Sequence, residues 1–217
     1  MGLTAELLRP AEAAVVARVP VRDVNRAIDE HILPDDFFSL DDGRHVAAMA
    51  CPLIAFYVDS ARRLTAEERL FTIREAGGRL RGFQARALAS LRDEDWTVRD
   101  GFLTIDLAPF IERTTERLDR LAAARALAVS DPGILGGTPV IRGTRVPVHD
   151  VAASVAAGLS MDQILAAYPS LDTATVELAM FYAEANPVRG RPRAAEGLPA
   201  GAVIVTDRRV ARRRKAG

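Results

Sequence analysis

Apolar residues at the start of the chain recur three and four positions apart, the period of one face of a helix. Pro10 to Ala17 reads as a helix with proline at a first helical position, and Arg18-Val19-Pro20 interrupts it. Val21, Val24, Ile28 and Ile32 then mark the buried stripe of a second helix. Leu8 to Leu33 is therefore a helix, a short turn and a helix, the outline of a helix-turn-helix. Phe37 to Leu40 leads into the turn signal Asp42-Gly43, so Leu33 to His45 reads as a hairpin, a wing or a loop packed on the core. Val46 to Leu64 is apolar and helix-compatible, with Pro52 as a kink or a start. Thr65 and Glu68 form a capping box for a helix from Leu64 to Arg79, and Gly77-Gly78 is its expected stop. Phe83 to Asp95 has helical composition. Trp96 to Val98, the turn Arg99-Asp100-Gly101 and Phe102 to Ile105 predict a second hairpin. A helix from Asp106 or Pro109 to Leu127 follows, with Ile111, Leu118 and Leu121 on one side.

The pattern then breaks. Asp131 to Val148 holds four glycines, three prolines and two arginines among β-branched residues, which suits neither a regular helix nor a central strand. Gly136, Gly137 and Gly143 permit positive φ, and Pro139 favours extended backbone before it. The expectation is a ribbon: a strand from Pro139 to Ile141, a turn at Arg142-Gly143-Thr144, and a strand from Arg145 to Val148, with Arg142 and Arg145 near its tip. Such a ribbon could cradle phosphate or simply order the helices after it; the P-loop and dinucleotide spacings are both absent. Three short helices follow: His149 to Ala157, stopped by Gly158; Met161 to Tyr168, capped by Ser160; and Thr173 to Asn186, capped by Asp172. The last carries Val176, Leu178, Met180, Phe181 and Tyr182, a packing or dimerisation surface rather than a groove reader.

Charge adds a polarity that the net value hides. Lys+Arg and Asp+Glu are equal at 29 each, but Pro187 to Gly217 holds nine basic and two acidic residues, so that segment is 9 − 2 = +7 and the rest is −7. Apolar residues make up 49% of the 217 positions and aromatics only 6%, a helical balance sufficient for two small domains and a tail. The lone Cys51 lies in an apolar run, a core residue rather than a nucleophile, and fits a reducing cytoplasm. The first residues lack a signal-peptide pattern, so a cytoplasmic protein is expected. His31, His45 and His149 are scattered, and no hydrolase or metal motif occurs. A non-enzyme without cofactor or metal is the expectation.

The run G-G-T-P-V-I-R-G-T-R-V-P-V, with A-A-G-L-S and A-A-Y-P-S-L after it, resembles the bacterial family called domain of unknown function 433, found in VapB-like antitoxins. The resemblance spans Asp131 to Asn186 and implies a small helix-turn-helix-like module that accompanies a PIN-domain ribonuclease toxin. P-A-E-A-A and A-I-D-E-H-I-L near the start resemble MerR-like and VapB-like DNA-binding domains. The expected fold is mainly α with small β-hairpins: a winged helix-turn-helix-like DNA-binding domain over 1–127, a three-helix module over 128–186, and a flexible basic tail over 187–217. The resemblance makes the chain an expected antitoxin that binds operator DNA as a homodimer, or within a larger hetero-oligomer with its toxin. Arg18, Arg22, Asn25, Arg26 and Arg44 are the candidate DNA contacts, since arginine forks onto guanine and asparagine onto adenine. Arg189, Arg191, Arg193, Arg208 and Arg209 are the candidate toxin contacts, placed to meet metal-binding carboxylates. A transcription regulator without a toxin is the alternative.

Overall fold

The computed structural model describes residues 6–82 and 88–188. The chain divides into two units, Met1–Pro187 and Val188–Gly217, and every helix and strand described belongs to the first. Its centre is α1 (Pro10–Ala17), in which Glu12 to Ala17 are all buried. A helix that is apolar all round must be covered all round, and α1 packs against α2 (Val21–Asp29), α3 (Cys51–Asp59), α5 (Ala108–Leu127) and α8 (Thr173–Ala185). Arg18 ends α1 in the left-handed region (φ 57°), and the Val19 N–H returns to the Ala14 carbonyl at 3.0 Å.

The first hairpin is present, and it is joined by a strand that periodicity did not reveal. β1 (Leu7–Leu8), β2 (Phe38–Ser39) and β3 (His45–Ala47) form an antiparallel sheet in the order β1-β3-β2. The helix expected from Val46 begins only at Cys51: Val46 and Ala47 belong to β3, and Ala48–Ala50 form a 3-10 turn. All these residues are buried, and a wholly apolar run gives periodicity no means of separating strand from helix.

The capping box holds. In α4 (Ala66–Arg81) the Glu68 N–H donates to Thr65 Oγ1 at 3.2 Å and the Thr65 N–H to Glu68 Oε2 at 2.7 Å. The expected stop at Gly77-Gly78 is overturned, because α4 continues to Arg81 and buries Leu80 completely. A Cβ on Gly77 would lie 3.3 Å from Pro34 Cγ and 3.6 Å from the Phe37 ring, so Gly77 serves close helix packing rather than termination. The expected helix from Phe83 to Asp95 is a 3-10 segment over Leu88–Asp93, with 83–87 outside the described residues.

β4 (Thr97–Asp100) and β5 (Leu103–Asp106) form the second hairpin in the register Thr97↔Asp106 to Asp100↔Leu103. Its turn is Gly101-Phe102, one residue later than expected, with Gly101 at φ 58°. In α5 the expected Ile111, Leu118 and Leu121 are buried, which makes it a core helix.

The ribbon is half right. β7 (Val140–Ile141) forms, but its antiparallel partner is β6 (Ala128–Val129), at the exit of α5. The second expected strand, Arg145 to Val148, is replaced by a single Val140–Pro147 bridge, and Val148 already opens α6 (Val148–Ala156). Pro147 provides the extended residue just before that helix. α7 (Met161–Ala167) has a Ser160–Gln163 capping box, and Asp172 caps α8. Two apolar clusters result, and Tyr182 of α8 packs against both. The division expected at residues 127 and 128 thus falls inside one unit. The protein is mainly helical with small antiparallel sheets, and among the described residues no helix is long and apolar enough to cross a membrane.

A buried carboxylate joins these elements. Glu12 is only 2% exposed and accepts from Arg9 Nη2 at 3.0 Å, the Arg9 N–H at 2.9 Å, and Arg125 of α5 at 2.9 Å. Arg125 also pairs with Glu6, and Arg9 reaches the Asn186 side chain just beyond α8. Burial pushes the Glu12 carboxyl up, but hydrogen bonds from Arg9 and Arg125 outweigh it and hold the group below its ordinary value. Such a carboxyl stabilises the fold above its unfolded-state value, about 4.3, and the contribution is lost as pH falls through the lower folded-state value. Glu12→Gln should cost about 1–3 kcal/mol at neutral pH and flatten the acid limb of the stability curve, as measured by thermal melts across pH. Equal pH profiles for variant and wild type would contradict this. Gly78→Ala, at an exposed helical position with nothing within 4 Å of the added Cβ, should instead stabilise by about 0.5–1 kcal/mol.

Candidate nucleic-acid interface

The outer face of α2 carries its basic residues already matched by acids. Arg22 is widely exposed with Asp23 3.9 Å away; Arg26 Nε donates to both Glu30 oxygens at 2.9 Å. Arg44, beside the turn of the first hairpin, donates to Asp29 Oδ1 through Nη2 at 2.8 Å and Nε at 3.2 Å. That pair fastens the hairpin to the end of α2. Asn25 is half-buried on the same helix. Three guanidiniums and three carboxylates alternate across this surface, so its local charge is balanced.

Arg18 differs from the other three arginine candidates. Among the described residues it makes no ion pair, and it lines a hollow of about 620 Å³ with Val19, Pro20 and Val21 at the start of α2. Arg117 of α5 and Glu184 of α8 face it across that hollow. A neighbouring hollow of about 600 Å³ shares Arg117 and Glu184 and adds Arg120, Glu177 and Phe181. The guanidinium centres of Arg117 and Arg120 lie 5.0 and 5.2 Å from the centroid of the Phe181 ring, within cation–π range. Arg117 Nε also donates to the Val15 carbonyl at 2.9 Å, and Arg120 approaches Glu177 at 3.5 Å.

Burial first, and then the positive charge of Arg18, lowers the Arg117 guanidinium below its ordinary value. Glu184, the carboxylate in the same hollow, acts on Arg117 in the opposite sense. The amide groups that open a helix also lack intrahelical acceptors and carry the positive end of its dipole. Two arginines and one carboxylate thus share the hollow at the start of α2, a net charge of +1 beside the positive end of the helix. Arg117 and Arg120 were not among the sequence candidates. Arg113, Arg117 and Arg120 stand at helical spacing in the sequence, but nothing there reveals that Phe181 lies beneath two of them.

Apart from Arg145, the ribbon residues hold the turn and its contacts to α5 and α6. Leu135, Gly136, Gly137 and Gly143 adopt positive φ of 48°, 64°, 85° and 76°. The Pro139 carbonyl accepts from the Val148 N–H at 3.0 Å and so closes the turn onto α6. Arg142 donates its backbone N–H to the Leu127 carbonyl and its Nε to the Ala126 carbonyl, each at 2.8 Å, binding the last carbonyls of α5. Arg145 is exposed and makes no hydrogen bond or ion pair among the described residues. Arg189, Arg191, Arg193, Arg208 and Arg209 lie outside the described residues.

Residues 129–183, from the end of β6 into α8, match the family described as "Protein of unknown function (DUF433)". Over its whole length the chain is 64% identical to "Uncharacterized protein y4eO" of Sinorhizobium fredii (strain NBRC 101917 / NGR234), covering 98% of that protein. No solved structure matches.

Phe181→Ala removes the ring under both arginines and empties part of the core. It should destabilise the fold by about 3 kcal/mol in chemical denaturation. A loss below 1 kcal/mol, on the order of a surface change, would contradict the packing described here.

Proposed function

The chain belongs to the family of the Sinorhizobium y4eO protein, and on the separate grounds of its charge distribution and the Gly136–Val148 motif we propose that it is the antitoxin of a type II toxin–antitoxin pair. Its helical body binds operator DNA, and its arginine-rich C-terminal segment neutralises a PIN-domain ribonuclease. The observation that carries the DNA half is the hollow where Arg18 and Arg117 meet the start of α2. A backbone phosphate held there would position the helix while Arg22 and Asn25 approach base edges. The paired Arg26 and Arg44 contribute less, because their carboxylates must be displaced first.

The toxin half rests on charge and on resemblance. The run from Gly136 to Val148 resembles modules found beside PIN-domain toxins, and the +7 segment after Asn186 complements a carboxylate-lined metal site. Arg189, Arg191, Arg193, Arg208 and Arg209 would occupy that site and exclude RNA or metal. A symmetric dimer on a palindromic operator would give autorepression. The same basic segment could instead serve DNA in a regulator with no toxin, and one experiment separates the two.

Co-expressed with the product of the neighbouring gene, the full chain should co-elute with it, and a chain ending at Asn186 should not. On upstream DNA, Arg18→Ala should weaken binding about equally for all sequences and reduce the salt slope by about one charge, while Arg44→Ala changes less. Retained DNA binding without co-elution would replace the antitoxin reading by that of a plain regulator. Unchanged affinity in Arg18→Ala would remove the hollow from the interface.

A further inference from the structure

β5 pairs only with β4, so its other edge has no strand partner among the described residues. A cavity of about 620 Å³ adjoins that edge. Leu103, Thr104, Ile105 and Asp106 all line it, although successive side chains on a strand point to opposite faces. Four consecutive residues share one cavity only where it runs along the strand's edge. Its far wall is formed by Phe56 and Phe110, packed edge to face with centroids 5.6 Å apart.

Charge around this cavity is unequal. Asp59 accepts from Arg113 at 2.8 Å, and Asp106 accepts from the Ala108 N–H at 2.8 Å, so both acids are satisfied. Arg62 and Arg63, also in the lining, have no carboxylate partner among the described residues. An occupant of this cavity should bring apolar surface, backbone groups for the strand edge, and a carboxylate.

The tip of the same hairpin offers all three. Phe102 is 105% exposed, the most exposed of the large apolar side chains described. Asp100 stands across the turn with no ion pair among the described residues, whereas Arg99 lines a separate hollow with Arg79 and Asp95. We infer that the β5 edge and its cavity form a self-association surface, filled by the β4–β5 hairpin of a second copy of this chain. Thr104 and Asp106 turn their backbone groups to the free edge, because Leu103, Ile105 and Leu107 spend theirs on β4 and Trp96. Antiparallel pairing of β5 with its copy about a twofold axis at Thr104 sets Thr104 opposite Thr104 and Phe102 opposite Asp106 of the other copy. Phe102 then meets the end of the cavity that Asp106 lines, and Asp100, one strand further out, supplies the carboxylate that complements Arg62 and Arg63. The contact is isologous, so each copy gives and receives one phenylalanine. Strand addition satisfies exposed edge groups that would otherwise template uncontrolled pairing. The surface needs neither DNA nor toxin, although a dimer built through it would have the symmetry of a palindromic operator.

Sedimentation equilibrium of the full chain at micromolar concentration tests this. The wild type should have twice the 23.5 kDa chain mass. Phe102→Ser should raise the dimer dissociation constant more than about tenfold while leaving the circular dichroism spectrum unchanged, because the side chain is solvated in the single copy. Asp100→Lys should weaken the dimer, and so should Arg62→Glu with Arg63→Glu; mixing these two variants should restore association. A monomeric wild type at tens of micromolar, or a dimer indifferent to both Phe102→Ser and the charge reversals, overturns the proposal.

Discussion

The fold depends on an ion network placed where only apolar contacts would be expected. Glu12 sits in a helix whose other buried residues are alanine and valine, and it keeps its charge because Arg9 and Arg125 both donate to it. An unpaired carboxylate there would be prohibitive, and an apolar replacement would leave two arginines without their acceptor. The value of the network is in alignment: one carboxylate ties the start of α1 to the last turn of α5, and Arg9 extends the tie to the residue after α8.

That alignment is what creates the basic hollow. With α1 fixed between α5 and α8, the left-handed turn at Arg18 delivers its side chain beside Arg117, and α8 places Phe181 beneath Arg117 and Arg120. α8 also contributes Val176 and Ala179 to the second apolar cluster, so the DUF433 module and the N-terminal helices share a wall.

Local signals in the sequence were reliable wherever the cause was local. Pro10, the Thr65–Glu68 box, the Ser160 and Asp172 caps, and the glycines at positive φ all stand where side-chain and backbone chemistry put them. Misreadings arose where tertiary contact decided. Gly77 looked like a stop because its neighbours Pro34 and Phe37 are some forty residues away. Val46 to Ala50 looked helical because burial on every side erases period. The expected second ribbon strand lost its pairing to β6, which a chain-local reading could not place opposite Val140. At the candidate site Arg18 was legible as a turn arginine, but the balancing of Arg22, Arg26 and Arg44 by Asp23, Glu30 and Asp29 depends on rotamers and on the fold of the hairpin. Arg117 and Arg120 gain their meaning only from the ring that α8 sets under them.

The proposed function divides the labour between a helical body that holds DNA and a basic C-terminal segment that silences a nuclease. The most direct test is an RNA-cleavage assay with the purified product of the neighbouring gene, titrated with the full chain and with a chain ending at Asn186. The full chain should inhibit stoichiometrically and the shortened one not at all. Equal inhibition by both, or a neighbouring product that cleaves no RNA, would contradict that division.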